Sequence, residues 1–268
     1  MATTATPATR VLGLVTLASM IVLVVFALVL TPADRSQGES VRMLYLHAPT
    51  AWVAYLAFAV TALASALYLF PTKHALGWDR LAGASAEVGV LFMAITLFVG
   101  MLWGRLTWGV FWRWDARLTT TAFLLVTYIG YLAVRRLGGT PDQRARRSGV
   151  LALLAVLEIP LVHFSVELWR GLHQDATVLR PGGDVELDGL MLFTVLLGIV
   201  AFTLLYVWLV IHRQRVLTAE DLLDEVGLDA AIAERRQEAA TAAPSGREPV
   251  SGTAIGPGAS GPDDKALV

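Results

Sequence analysis

A short stretch rich in tryptophan is the part of this sequence best suited to bind a ligand. Trp108, Trp112 and Trp114 lie close together, with Phe111 between them. In an extended segment all three indoles point to one face, because side chains alternate with a period of two. In a helix, Trp108 and Trp112 share a face at a spacing of four. Either conformation predicts an indole platform. Simple anchoring at a membrane surface is the alternative, and it explains one or two tryptophans better than a cluster.

Charged residues alternate with these indoles, namely Arg113, Asp115 and Arg117. A flat apolar macrocycle with anionic carboxylates suits such a surface, because indoles stack on its plane and arginine meets the carboxylates. Asp115 has a simpler alternative role, in which it pairs with Arg113 or Arg117 and orients the loop. Both interpretations stay open at the level of sequence.

Two histidines flank the tryptophan-rich stretch along the chain. His47 lies in MLYLHAPTAW and His173 lies in HFSVELWRGLHQD. Imidazole is a common axial ligand of haem iron, so a pair on one side of a membrane beside indoles predicts a haem site. Taken singly, each histidine is also consistent with an interfacial residue whose hydrogen bonds are satisfied.

Other ionisable residues within apolar stretches are secondary candidates. His163 precedes Glu167 by four residues, so the two can pair on one helix face. We interpret His163 as structural, with contact to the ligand as the alternative. Carboxylates within a membrane are costly and therefore suggest function. For Glu87 and Glu158 a proton path and a hydrogen-bonded packing role are equally compatible with the sequence.

Composition excludes several kinds of chemistry. The 268 residues include no cysteine, which excludes disulfides, thiolate nucleophiles, cysteine zinc sites and iron–sulfur clusters. Without C-x-x-C-H the chain is not itself a c-type cytochrome, and without a P-loop we expect no ATP hydrolysis. Apolar residues make up 56% and charged residues 16%, whereas soluble domains carry about a quarter charged residues. The composition predicts that the chain contacts the lipid bilayer. We expect no binding of nucleic acid.

Six segments are apolar over the roughly 20 residues that a helix needs to cross about 30 Å of hydrocarbon. We expect them near 11–31, 48–70, 83–103, 118–136, 148–166 and 189–211. Glu158 and Pro160 interrupt the fifth. The predicted fold is an all-α membrane protein with six transmembrane helices and a Trp-rich outer loop between helices 3 and 4. The first segment is expected to be a retained anchor, because it is longer than a signal-peptide core and no A-x-A-like site follows.

Basic residues in the loops predict the orientation. The stretch RRLGGTPDQRARR, residues 135–147, holds five arginines and one acidic residue, which favours the cytoplasmic side. Both termini then lie on the cytoplasmic side of a bacterial cytoplasmic membrane. His47 and His173 face the outside with the loop, whereas His74 and His212 are inner, solvated or interfacial residues. The outer loops are expected near 32–47, 104–117 and 167–188.

The sequence divides into three parts. We expect a cytoplasmic N-terminus at 1–10, a transmembrane domain at 11–211 and a cytoplasmic tail at 212–268. Within the tail, Thr218 and Asp221 form a T-x-x-D pattern, which predicts a helix N-cap at Thr218 and a helix over 218–242. Residues 243–268 are rich in Gly, Pro and Ser and are predicted to be disordered.

Three stretches resemble a known family. The run W-G-x-x-W-x-W-D-x-R-L-T, residues 108–119, resembles the WWD motif of haem-handling proteins. The six-span arrangement resembles the haem exporter protein C (CcmC) family of cytochrome c maturation. Residues 45–52, YLHAPTAW, and 163–174, HFSVELWRGLHQ, resemble the family's two histidine segments. The chain has Leu168 and Trp169 where the family commonly shows two tryptophans.

The resemblance covers about residues 11–212 and implies a function. Such a protein is not an enzyme. It binds haem b at the outer face of the membrane and passes it to the haem chaperone CcmE, and an assisting role in covalent attachment stays open. The implied partners are the ABC transporter subunits CcmA and CcmB and the small membrane protein CcmD. The histidine of L-H-Q, a ligand in the family, corresponds to His173. We expect His47 as the second iron ligand. The residues expected to hold the macrocycle or to shape the loop and the chaperone contact are Trp108, Trp112, Trp114, Asp115 and Arg117.

Three other functions remain open. A membrane permease subunit of a haem or small-solute ABC exporter needs a polar path, and the spans offer few polar residues beyond the two glutamates. A synthetase that joins haem to apocytochrome is expected to be longer, with an additional outer domain. In a structural subunit the tryptophans only anchor the chain, so their substitution impairs assembly without changing haem content.

Overall fold

A computed structural model describes residues 6–169, 171, 173, 187 and 189–242, with side chains as far as Glu238. This described part is almost entirely helical. Its seven α-helices are α1 (Pro7–Val25), α2 (Leu44–Leu69), α3 (Leu76–Trp108), α4 (Ala116–Arg135), α5 (Pro141–Ala155), α6 (Glu158–Leu168) and α7 (Gly189–Ala242). A π-helical turn, Phe26–Leu30, extends α1, and a 3-10 turn, Glu39–Met43, leads into α2.

Six helical segments are long and apolar enough to cross a membrane, which confirms the predicted all-α, six-span fold. They are Pro7–Leu30, Glu39–Leu69, Leu76–Trp108, Ala116–Arg135, Pro141–Leu168 and Gly189–Glu238. The fifth is a broken helix made of α5 and α6. Pro160 has no backbone N–H for the carbonyl of Val156, and that carbonyl accepts instead from Ile159 N at 3.1 Å. The predicted interruption therefore lies just before Glu158.

The predicted start of a helix at Thr218 is wrong, and most of the spanning helices begin a few residues before their predicted bounds. Thr218 does not begin a helix, because its hydroxyl donates to the carbonyl of Gln214 at 2.9 Å inside the continuous α7. No glycine or proline stands between the sixth span and Thr218, so the helix runs through. Helix α4 begins at Ala116, ahead of the predicted residue 118, because Asp115 caps it. The predicted disorder of 243–268 and most of the loop at 167–188 lie outside the described residues.

Close packing of α2, α3 and α4 fills the centre of the bundle. The rings of Phe58 and Tyr128 stack with centroids 3.6 Å apart, and both side chains are buried. A Cβ at Gly89 would lie 2.6 Å from the Phe58 ring, so glycine lets α3 approach α2 here. Helix α7 joins this core through the edge-on contact of Phe202 with Phe92, at 6.0 Å between centroids.

Ion pairs tie the helices together in the N-terminal half of α3, away from Trp103 and Trp108. The guanidinium of Arg135 donates to both oxygens of the buried Asp79, at 2.5 and 2.9 Å. Arg213 of α7 pairs in the same two-pronged way with Glu87 of α3. Glu87, one of the two carboxylates singled out in the sequence, thus has a cationic partner from a distant segment.

Beyond Asp221 the chain forms a second unit. Its described part continues as helix, and its apolar side chains are exposed to solvent. These include Leu222, Leu223, Val226 and Leu228.

Candidate functional site

A cavity of about 640 Å³ lies between α2, α3, α4 and α7. Three of the five histidines, His47, His163 and His173, line it. Its volume falls within the range of roughly 300–1,000 Å³ typical of ligand sites. Most of the lining is apolar or aromatic, and the charged side chain among the lining residues is Arg117. The cavity therefore offers an apolar volume with imidazoles and one guanidinium at its wall.

His47 projects into the cavity from the first turns of α2. Its ring lies edge-on to the indole of Trp103, with centroids 5.7 Å apart. On the other side the ring lies against Gly100 of α3, where an added Cβ would be only 2.9 Å from its Cε1 atom. The Nδ1 atom of His47 is buried and has no hydrogen-bond partner in the described structure. A buried polar atom of this kind is costly unless a ligand uses it.

His173 approaches the cavity from the segment after α6. Its Nδ1 atom lies 3.4 Å from Oδ2 of Asp115, and its ring lies edge-on to Trp108 at 5.1 Å. Burial lowers the pKa of His173 below its usual value, and the Asp115 carboxylate opposes that shift. With Nδ1 facing a carboxylate, Nε2 is the atom available to a ligand. Carboxylate–histidine pairs of this type commonly orient metal-binding imidazoles.

Among the described residues, the side chain of Asp115 has two partners, and neither is an arginine. Its Oδ1 atom accepts a hydrogen bond from the amide of Leu118 at 2.8 Å, which makes Asp115 the N-cap of α4. Its second oxygen faces His173. The structure thus connects the start of α4 to the histidine, instead of forming the pairs with Arg113 or Arg117 considered from the sequence.

The tryptophans do not form the single platform predicted from their spacing. Trp108 is the last residue of α3 and lines the cavity. The chain then turns at Gly109 with φ of 77°, a left-handed conformation that favours glycine. Trp112 and Trp114 follow this turn and pack edge-on against each other at 5.3 Å, with Trp114 79% exposed. Because of the turn, one indole faces the cavity and the other two form a separate pair, which is absent from its lining.

Two lining residues were not expected in the site from the sequence. Trp103 donates from Nε1 to the side chain of Gln37 at 3.1 Å and contacts His47. His163, interpreted as structural, lines the cavity, and its carbonyl accepts from Arg117 at 2.8 Å. Trp103 lies five residues before Trp108, a spacing that does not share a helix face, so helical periodicity did not indicate it. For His163, contact with the ligand was the alternative that the sequence left open.

The site can hold a flat aromatic ligand better than a bare cation. Within the described part of the chain, no three histidine, aspartate or glutamate side chains converge as a metal-ion cage would require. Two imidazoles at a cavity with apolar walls instead suit a macrocycle that brings its own iron. Arg117 adds a cation whose buried Nε atom has no partner in the described structure.

Comparison with known proteins gives a consistent result. The family described as "Heme exporter protein C" (CcmC) matches residues 1–225. Heme exporter protein C of Bradyrhizobium diazoefficiens is 38% identical over 208 residues, covering 77% of this chain and 78% of the relative. The Haemophilus influenzae protein of the same name is 35% identical over 198 residues, covering 72% and 77%. The Escherichia coli K12 protein is 36% identical over 191 residues, covering 69% and 73%. This integral membrane protein therefore belongs to the haem exporter protein C family.

Proposed function

We propose that this protein binds haem b in the cavity at the outer face of the membrane and delivers it to the haem chaperone CcmE during cytochrome c maturation. The observation that carries this proposal is the convergence of His47 and His173 on one indole-lined cavity. Membership of the family supports the general role in haem handling.

His47 and His173 are the proposed iron ligands. They come from different elements, His47 from α2 and His173 from the segment beyond α6, and both line the cavity in which haem would be held. Asp115 then acts as a positioning residue, because its carboxylate fixes the imidazole of His173 through Nδ1. Haem, as the cargo, supplies the iron and the macrocycle.

The other lining residues match the remaining chemistry of haem. Trp103 and Trp108 each contact one of the histidines and present apolar ring surface beside it. One terminal nitrogen of Arg117 donates a hydrogen bond to the His163 carbonyl, while its Nε atom is buried without a partner in the described structure. A propionate would complete the hydrogen bonds of this guanidinium. Arg117 is therefore the proposed propionate contact.

Delivery requires a surface next to the cavity, and the tryptophan pair supplies it. Trp112 and Trp114 follow Trp108 by four and six residues in the chain, and Trp114 and Phe111 are exposed. We assign this loop to the contact with CcmE. The proposed assembly also includes CcmA, CcmB and CcmD. Both termini are proposed to be cytoplasmic, with 1–10 and 212–268 flanking the membrane domain. Arginines at 135–147 support this orientation.

Packing beyond the deep end of the cavity favours delivery of haem at one membrane face over permeation of a solute across the membrane. Tyr55 is the lining residue of α2 farthest from Leu44, and Met93 is the lining residue of α3 farthest from Trp108, so these two lie deepest in the cavity. Farther along these helices come the buried Phe58, stacked on Tyr128, and the buried Phe92. Packed aromatic rings of this kind offer no polar path to a charged or hydrated solute.

The test is an absorption spectrum of the purified protein, produced together with CcmE. His47→Ala and His173→Ala are each expected to weaken or shift the Soret band and to abolish haem loading of CcmE. His74→Ala serves as the matched control, because His74 lies between α2 and α3, at the opposite end of the bundle. Well-folded wild type without haem, or histidine variants that still load CcmE, would contradict the proposal.

A further inference from the structure

Helix α7 turns one of the cavity-lining residues toward the outside of the bundle. Leu196 lines the cavity, yet it shares a helix face with the exposed Phe193 and Val200, three residues before it and four after it. Leu196 itself is 46% exposed. The cavity wall at this point is therefore also part of the outer surface of the helix bundle.

Helix α2, which faces α7 across the opening, also turns a cavity-lining residue toward the outside of the bundle. Trp52 lines the cavity and lies on the face that carries the exposed Leu63, three helical turns farther on. Between Trp52 and the start of α2, the lining residues are the small Ala48 and Ala51, besides Leu44 and His47. Small side chains leave space between α2 and α7 beside the close contact of Pro49 with Gly198.

This opening lies within the membrane-spanning part of the two helices. At 1.5 Å per residue, Trp52 lies about 12 Å from the first residue of α2, and Leu196 lies about 10 Å from the first residue of α7. The indole Nε1 of Trp52 donates to the hydroxyl of Thr203 at 3.1 Å, which links the helices at the lower edge of the opening. With its N–H satisfied, Trp52 can face hydrocarbon without an unpaired donor.

We propose that haem enters the cavity sideways from the bilayer, between α2 and α7, past Trp52 and Leu196. This inference rests on the proposed haem-binding function. A macrocycle dissolved in lipid would pass the apolar residues of the opening and reach His47, which lies on the same helix as Trp52. Entry from the aqueous side, past Ser36 and Gln37, is the route that the test must distinguish.

The absence of native cysteine allows a direct test. Leu196→Cys and Trp52→Cys are each reacted with a bulky lipid-soluble maleimide in proteoliposomes. Val200→Cys and Leu63→Cys are the matched controls, because they lie on the same outward faces but do not line the cavity. The growth of the Soret band is followed after haem is supplied in the lipid or bound to albumin in the outer solution.

Modified Leu196→Cys and Trp52→Cys are expected to load haem from lipid at least tenfold more slowly than their unmodified forms. Both controls are expected to load at the wild-type rate. Protein loaded before modification is expected to keep its Soret band, which separates a blocked entrance from a damaged site. Unchanged loading from lipid in both modified variants would overturn the lateral route. Failure of the unmodified wild type to load from either source would instead refute haem binding itself.

Discussion

The contact between Gly100 and His47 makes the most specific prediction for the proposed iron site. In Gly100→Ala, the new Cβ would lie 2.9 Å from Cε1 and 3.3 Å from Nδ1 of the imidazole. Ordinary carbon contacts are about 3.5–4.0 Å, so the ring must move by roughly 0.5–1 Å or the helices must separate. Metal–ligand distances tolerate only about 0.2 Å, so the displaced imidazole no longer reaches the iron in the same geometry.

The size of the effect follows from the cost of overpacking. Inserting a methyl group into a packed site costs about 1–3 kcal/mol. If haem binding carries this cost, the dissociation constant rises by roughly 5- to 150-fold, since 1.4 kcal/mol corresponds to a factor of ten. The free energy of unfolding of the haem-free protein should fall less, because α2 and the ring can relax when no iron holds the imidazole.

The assay is a haem titration of the purified variants, followed through the Soret band, together with thermal unfolding of the haem-free forms. Gly130→Ala on α4 is the matched control, because a Cβ there would meet no heavy atom within 4 Å. In a helix interior that control should be neutral or stabilising by up to about 1 kcal/mol. Wild-type haem affinity and an unchanged spectrum in Gly100→Ala would refute the assignment of His47.

Two further predictions concern carboxylates with defined partners. Asp115→Asn keeps an N-cap acceptor for α4 but removes the carboxylate facing His173. Haem affinity should fall by about 10- to 100-fold in titrations while the melting temperature changes little. Asp79→Asn leaves Arg135 without its buried anionic partner, so the free energy of unfolding should fall by about 3–5 kcal/mol. Glu39→Gln, which breaks an exposed ion pair, should lower the free energy of unfolding by at most about 1 kcal/mol in the same denaturation assay. Equal losses of stability in Asp79→Asn and Glu39→Gln would contradict this account.

Sequence alone was sufficient for the features that depend on local pattern. The length of each apolar run determines whether a helix can cross hydrocarbon, so six spans were predictable without any knowledge of packing. The break near Glu158 and Pro160 follows from the missing N–H of proline. The extent of α3 was less predictable, because the helix continues past the apolar run as far as Trp108.

Tertiary structure alone decided how the candidate residues are grouped. Spacing suggested one indole platform, but the left-handed turn at Gly109 separates Trp108 from Trp112 and Trp114. Turn conformation depends on what the loop packs against, and a period of two or four cannot predict that.

The partners of each site residue also come from distant segments. His173 lies beside Asp115 and Trp108, and His163, which the sequence favoured as structural, lines the same cavity. The local pattern determines that a histidine lies at a membrane end. Which helices face one another determines whether it meets a cavity, because helix packing depends on side-chain shape at close contacts such as that between Gly100 and His47.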